Sequence, residues 1–447
     1  MKSIAAVILL LILTFTGCVN EPENDEYVSP DIISGTVKNT AGLPLENAKV
    51  TLPTAPSYEG VFTNSAGVFQ LEGFPPGKHN IKVELYGYED YTSEVPKPYN
   101  GYSTVNPVLK SKTYNVPAEK PLSKGSVRIN NRKLEIDPDG DGNYTPFYVK
   151  GVAYSPTPIG NRPITEEQEN RSIQYLKDLH ANTIRTYSGA SKALMQRLAG
   201  EGIYTILGFW AGNSDLSLEE NRDAVKNDFI RFVTDYKDTP GILFWNLGNE
   251  QNYVNGDNPY WYSLCQELAV VAYNIEGENY HPVCISNGNI YNIGNASKSA
   301  DDASLKYIDA WASNIYEMNF TNSINTYRTK SEKPIVFTEF GIDALDNRTK
   351  TEYELVQAEH DSLNWVQILN NSDVVLGGTV FEFTDEWWKA GDPYNKDFGG
   401  YQTGAHPDGY SNEEWWGLIR VNQDANGDGM DDWTPRRAYY MFQQMWQ

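Results

Sequence analysis

Ile242-Leu-Phe-Trp-Asn-Leu-Gly-Asn-Glu250 runs apolar for most of its length and then closes on an amide and a carboxylate. A run of Ile, Leu, Phe and Trp bounded by turn residues reads as a strand buried on both faces, as in a parallel sheet covered by helices. Pro334-Ile-Val-Phe-Thr-Glu339-Phe-Gly341 has the same build and carries Glu339 at its end. Carboxylates at the C-terminal ends of two such strands stand where barrel enzymes keep their reactive groups. Two carboxyl groups facing one sugar are the minimum equipment for cleaving a glycosidic bond.

Working outward from these runs, strand-like and helix-like stretches alternate from residue 146 onward, which predicts βα units and a parallel sheet. Strands are expected at 147–154, 182–187, 204–209, 242–247, 282–286, 310–316, 335–340 and 377–383. Between them Val225, Phe229, Phe232, Val233 and Tyr236 share one helix face at spacings of three and four. Ser191 is placed to cap a helix carrying Leu194 and Leu198 that ends near Gly200 and Gly202. Eight strands in roughly three hundred residues predict a (β/α)8 barrel, a TIM barrel, over 125–447. An open doubly wound sheet is the alternative, but no Gly-rich phosphate loop supports it.

Upstream, residues 32–112 read as all-β. Ile81, Val83 and Leu85 alternate with Lys82 and Glu84, and turn residues such as Asn64-Ser-Ala-Gly67 and Pro75-Pro-Gly77 punctuate the strands. Residues 113–124, with Pro117 and Pro121, read as a linker, and 127–136 as a hairpin capping the barrel domain. At the start, Lys2 precedes an apolar run over 4–13 that is short for a membrane span. It ends in Phe15-Thr16-Gly17-Cys18, which resembles the lipobox of prokaryotic lipoproteins. The resemblance implies a signal peptide over 1–17, lipidation of Cys18, an acidic tether over 18–31 and an extracytoplasmic protein held at the cell envelope. An ordinary signal peptide with an incidental Cys is the other reading.

The 36 Lys and Arg residues against 59 Asp and Glu give a net charge of −23, which argues against nucleic acid or anionic membrane surfaces as partners. No protein partner is implied either. The 30 Tyr and 11 Trp supply ring faces suited to sugars as well as to cores. With Cys18 lipidated, Cys265 and Cys284 remain, either as one disulfide or as two buried thiols. The five His residues show no zinc-ligand spacing.

Two resemblances sharpen this reading. Gly35-Thr-Val37, Gly42-Leu-Pro-Leu45, Ala48-Lys-Val50, Thr63 with Gly67-Val-Phe69, Pro76-Gly77 and Gly87-Tyr88 resemble the carboxypeptidase regulatory-like (transthyretin-like) β-sandwich family. Trp245-Asn-Leu-Gly-Asn249-Glu250 and Thr338-Glu339-Phe-Gly341 resemble the two catalytic strand ends of clan A glycoside hydrolases. Lys150-Gly-Val-Ala-Tyr154, Asn182-Thr-Ile-Arg185-Thr-Tyr187 and Gly202-Ile-Tyr-Thr-Ile206 are similar to strand regions of β-1,3-glucanosyltransferases and of the family 2 barrel. Glu382-Phe-Thr-Asp-Glu-Trp387-Trp388 and Glu414-Trp415-Trp416-Gly417-Leu418 look like the end of a family 2-type barrel.

The resemblance implies Glu339 as nucleophile and Glu250 as acid/base of a retaining β-glycosidase or transglycosylase acting on a β-linked glucan-type polysaccharide or oligosaccharide. It places Asn249 against the sugar 2-hydroxyl. Arg185 is expected to orient Glu339, Tyr316 to donate to it, and Trp387, then Trp388, to serve as sugar platform. Tyr154 and Trp210 are further cleft candidates. A non-catalytic carbohydrate-binding or adhesive surface protein is the rival class, which would be free to lose the carboxylate pair. The sugar chemistry needs no cofactor. Asp424, Asn426, Asp428 and Asp432, and likewise Asp137, Asp139 and Asp141, resemble the opening of a calcium loop without its twelfth-position Glu. An Asx-bonded acidic turn explains either loop as well, and a calcium ion there would be structural.

Overall fold

The computed structural model describes residues 29–254, 259–398 and 400–447. The signal segment, Cys18 and most of the acidic tether lie outside the described residues. The chain divides into two compact units between Ser111 and Lys112.

In the first unit, Val68–Glu72, Ile32–Thr36 and Tyr102–Thr104 form one sheet. Val61–Phe62, Lys49–Thr51, Asn80–Glu84 and Tyr91–Glu94 form a second, and Lys38–Asn39 pairs with Val108–Leu109. Ile81 and Val83 turn inward as their alternation predicts, and join Ile33, Val50 and Leu71 in one core. Each such side chain contributes about 1.5–3 kcal/mol of burial, and two facing sheets are needed to collect it.

The second unit is a closed barrel of eight parallel strands in chain order. These are β1 (Val149–Ala153), β2 (Thr183–Arg185), β3 (Tyr204–Phe209), β4 (Ile242–Leu247), β5 (Val283–Gly288), β6 (Ala310–Asn314), β7 (Ile335–Phe340) and β8 (Val375–Val380). Each strand lies within or near its expected stretch. The largest shift is in β8, which begins two residues early. Gly377 sits within this strand, where an added Cβ would lie 2.2 Å from the Val149 carbonyl oxygen.

Helices α1 (Glu166–Asp178), α2 (Lys192–Gly200) and α3 (Glu219–Tyr236) follow the first three strands. Thr165 and Gln168 form a reciprocal capping box on α1, and Ser191 Oγ accepts from the Leu194 amide at the start of α2. The short α4 (Gln251–Val254) and the long α5 (Tyr260–Glu276) follow β4, and α6 (Thr321–Arg328), α7 (Glu354–Leu369) and α8 (Arg437–Met445) complete the set. The hairpin Val127–Asn130 and Lys133–Ile136 packs Val127 and Leu134 with Val149, Leu243, Ala310 and Val336 of the barrel. Among the described residues no helix is long and apolar enough to cross a membrane.

Residues 113–124 do more than connect. Lys120 Nζ donates to the Tyr307 carbonyl (2.9 Å) and to Asp309 (2.6 Å), and Ser123 Oγ to the Tyr280 carbonyl (2.6 Å). The hydroxyls of Tyr307 and Tyr280 return bonds to the carbonyls of Pro117 and Pro121. Proline lacks an N–H but keeps its carbonyl acceptor, which here receives the tyrosine hydroxyls. Cys265 and Cys284 are both buried and free, which resolves the alternative of a disulfide.

After β8 the chain runs back towards α8 through Asp385, a fully buried carboxylate gripped by Arg436 at 2.6 and 2.8 Å. Arg436 also donates to the Gly417 carbonyl (2.6 Å) and to Glu352 (3.1 Å). Lys396 Nζ also donates to Asp385 (2.5 Å), so removing Arg436 takes one of two buried counter-charges from that carboxylate and a partner from Glu352. Arg436→Ala is expected to cost about 3–5 kcal/mol in chemical denaturation, while Arg420→Ala, on the half-exposed side of Glu352, costs under about 1 kcal/mol.

Candidate active site

Glu339 is the fifth residue of the six in β7 and is 5% exposed. Glu250 lies just past β4, where the chain turns through Gly248 (φ 63°) and Glu250 itself (φ 56°). A left-handed glutamate costs about 1–3 kcal/mol and persists only where its surroundings fix it. The Glu250 amide is held by the Ser286 carbonyl of β5 at 2.9 Å. Both carboxylates line one cleft of about 530 Å³.

Their surroundings differ. Three donors face Glu339: Arg185 Nη1 (2.7 Å) and the Tyr187 hydroxyl (2.8 Å) on Oε1, and the Tyr316 hydroxyl (2.5 Å) on Oε2. These donors hold the Glu339 carboxyl through both of its oxygens. Burial, and then the charge of Glu339, push both tyrosine hydroxyls well above their ordinary range, so they remain donors. Among the described residues Glu250 has one donor, Asn314 Nδ2 at 3.0 Å. Burial first, and then the charge of Glu339, raise Glu250 to about 7. One carboxyl is thus solvated by fixed donors while its neighbour holds a proton near neutrality.

An amide relay sets the geometry between them. Thr338 Oγ1 donates to Asn314 Oδ1 (2.9 Å), which turns Asn314 Nδ2 towards Glu250 and towards Asn249 Oδ1 (3.0 Å). Arg185 Nη2 donates to the same Asn249 oxygen (2.7 Å). With two donors on Oδ1, the Asn249 NH2 is left for a ligand. Asn314 reaches this place through a register shift between β6 and β7 at Ser313/Asn314, the kind of irregularity that re-aims a side chain.

The structure gathers Glu250, Glu339, Asn249, Tyr316, Trp210 and Trp388 around the cleft, with Arg185 fully buried beneath Glu339. Two expectations need correction. Trp387 does not line the cleft; its Nε1 donates to the Val421 carbonyl (3.1 Å) while the adjacent Trp388 lines the cleft and is 41% exposed. Neighbouring side chains face opposite ways here, and the sequence order does not say which one faces the sugar. Tyr154 is buried with its ring 5.6 Å from Phe383, and Ser155 takes the place on the cleft wall.

Sequence reasoning missed Tyr187, Asn314, Trp416, Tyr401, Glu386, Glu413 and Lys389 at or beside the cleft. Tyr187 shares the strand alternation of Arg185, and Asn314 that of Tyr316, a signal that was available. Lys389 Nζ sits between Glu386 (2.7 Å) and Glu382 (3.2 Å), where those carboxylates raise its affinity for its proton against the cost of burial.

Both acidic loops are bonded through their Asx side chains, the Asp137 loop by the amides of Asp141 and Gly142 on Asp137 and of Asn143 on Asp141. The carboxylates of Asp137, Asp139 and Asp141 come within 4.8 Å of one another, whereas among the described residues Asp424, Asp428 and Asp432 form no such group. Asp424 instead accepts from the amides of Gly427 and Gly429, Asn426 Oδ1 from that of Asp428, and Asp432 from that of Ala425. That is an Asx-bonded turn.

With the geometry in hand, comparison with known proteins is direct. Residues 32–110 match the carboxypeptidase regulatory-like domain. Among solved structures, the chain is similar to a GH2 β-galacturonidase from Eisenbergiella tayi bound to galacturonate (13% identity, TM-score 0.52, 90% of this chain and 66% of that one). It is also similar to a β-D-glucuronidase of Dictyoglomus thermophilum (16%, 0.51, 94% and 64%). A third is a β-glucuronidase from Ruminococcus gnavus in complex with D-glucuronic acid (17%, 0.52, 90% and 62%). The chain spans roughly two-thirds of the length of these enzymes, and at such identities the likeness is one of fold. No curated protein matches the chain. Residues 124–392, more than half of the 447, match the model of the glucanosyltransferases, and the chain therefore belongs to the glucanosyltransferase family.

Proposed function

We propose that the protein is a retaining β-glycosidase or transglycosylase working by double displacement on a neutral β-linked glucan, with β-1,3-linked chains the first candidate. The observation that carries the reading is the unequal pair in one cleft, Glu339 among three donors and Glu250 raised to about 7. Glu339 attacks the anomeric carbon while Glu250 gives its proton to the departing glycosidic oxygen. Glu250, now ionised, takes the proton of a water or a sugar hydroxyl as that oxygen displaces Glu339 from the anomeric carbon. Asn249 NH2 bonds the 2-hydroxyl, and Trp388 and Trp416 offer ring faces to the sugar.

The charges in the cleft support a neutral substrate. Besides Glu339, which Arg185 balances, Glu386 and Glu413 line it against Lys389, whose ammonium Glu382 and Glu386 already hold. A uronate, the ligand of two of the solved structures above, would meet net repulsion there. The rival reading as a binding protein has no need of a carboxyl raised towards neutrality.

The test is a glycan panel with NMR of the first-formed anomer: β-glucans are turned over and the β-anomer appears first. An α-anomer first, or inertness towards every β-glucan, would sink the proposal. Arg185→Lys is expected to lower kcat at least about a hundredfold, because a compact ammonium does not reproduce the planar fork whose two arms fix Glu339 and Asn249. Single-turnover kinetics check this, and a change confined to KM would remove Arg185 from the machinery. The proposal includes anchoring at the cell envelope through Cys18, so Cys18→Ser should move the protein from the membrane to the soluble fraction.

A further inference from the structure

The loops after β3, β4 and β5 are fastened to one another on the Glu250 side of the cleft. Gln251 Nε2 donates to the Gly212 carbonyl (2.9 Å), two residues beyond Trp210. Asn252 exchanges two bonds with Gly288: its Nδ2 donates to the carbonyl (2.8 Å) and its Oδ1 accepts from the amide (2.7 Å). Tyr253, in the same turn, lies so close over Gly288 that an added Cβ would come 2.0 Å from Cε2 of its ring. Yet Tyr253 is 57% exposed, as Tyr291 is 66% and Trp210 46%.

A ring so exposed gains little from burial, while a fixed side chain loses rotamer freedom and a strand glycine adds its own cost. Trp210 lines the cleft, and Tyr253 stands outside that lining yet near enough to Glu250 and Tyr291 to feel their charges, so its seated, outward ring is a surface awaiting a partner with an apolar face. Chemistry gives its kind. The group that protonates the leaving oxygen touches the sugar that departs, so that sugar lies on the Glu250 side, against these three loops. By microscopic reversibility an acceptor sugar enters at the same place.

We propose that Tyr253, on its Gly288 seat and with Trp210 and Tyr291, forms the platform for the leaving-group sugar and for the acceptor sugar, a neutral hexose unit stacked by its C–H face. This rests on the reading of Glu250 as acid/base. A firm hold on an acceptor lets a sugar hydroxyl compete with water for the glycosyl-enzyme.

The test uses two substrates with one glycone: a β-1,3-glucan oligosaccharide, whose leaving group reaches the platform, and the glycosyl fluoride, whose leaving group does not. In Tyr253→Ala the ratio of kcat/KM for oligosaccharide over fluoride should fall about tenfold, or ~1.4 kcal/mol. Tyr253→Phe, which keeps the ring, should hold the wild-type ratio, and Tyr253→Leu should fall with Ala. Equal losses on both substrates, or an unchanged ratio in Ala and Leu, overturn the platform. A wild-type protein that turns over neither substrate refutes the acid/base reading and the platform with it, a failure separate from a change in ratio.

Discussion

Glu339→Ala is expected to lose at least about 10⁴-fold in kcat on β-glucan oligosaccharides, since without its nucleophile a covalent mechanism retains only binding and electrostatics. Arg185, fully buried, would then lack its main counter-charge. A loss of activity could thus be a loss of fold, because orphaning a buried charge costs about 3–5 kcal/mol. Two measurements separate the cases. Glu339→Gln keeps a carbonyl acceptor for the donors and should melt closer to the wild type while remaining inactive. Azide added to Glu339→Ala with an activated aryl β-glycoside should restore turnover and give the α-glycosyl azide, because the anion attacks from the vacated side. Near wild-type activity in both variants, or a β-azide product, would take the nucleophile role away from Glu339.

What the sequence revealed followed from how strongly local chemistry constrained each element. The runs ending at Glu250 and Glu339 were legible because a strand buried on both faces leaves no other reading for Ile, Leu, Val and Phe; β3, β4 and β7 stand at their expected bounds. At β8 the expected stretch 377–383 sits two to three residues too far along, and the glycine at 377 answers to the neighbouring Val149 carbonyl, which no local pattern announces. Trp387 and Trp388 show the limit for side chains: adjacency says that they diverge, and the Val421 carbonyl decides which turns inward. Tyr253 was out of reach for a similar reason. Its seat is made by β5, 35 residues further along the chain (253 to 288), and no local pattern announces that approach. The two acidic loops share a composition and an Asx-bonded turn, since backbone amides take carboxylate oxygens in both, and they part only in that Asp137, Asp139 and Asp141 also converge.

Glu250→Gln is expected to have the second largest effect, and its signature is selectivity between leaving groups. A positioned acid contributes about 10²–10⁴-fold, but only where the leaving oxygen needs a proton. Oligosaccharides should lose that factor, whereas aryl β-glycosides with acidic phenols should still glycosylate Glu339. Azide should then rescue the second step and give the β-glycosyl azide, the opposite anomer from the Glu339→Ala product. Because Glu250 is raised to about 7 and must be protonated for the first step, the wild-type kcat/KM should fall on the alkaline side of about pH 7. The same shift bears on stability. A raised carboxyl keeps its proton in the folded state where the unfolded chain has lost it, so folding stability falls as pH rises from the ordinary carboxylate range to about 7, then levels off. Gln carries no such dependence. Glu250→Gln should therefore melt above the wild type at about pH 8, with the difference gone near pH 4, where Glu250 is protonated in both states. An alkaline limb that survives in Glu250→Gln would assign the titration to another group and leave Glu250 without its acid role.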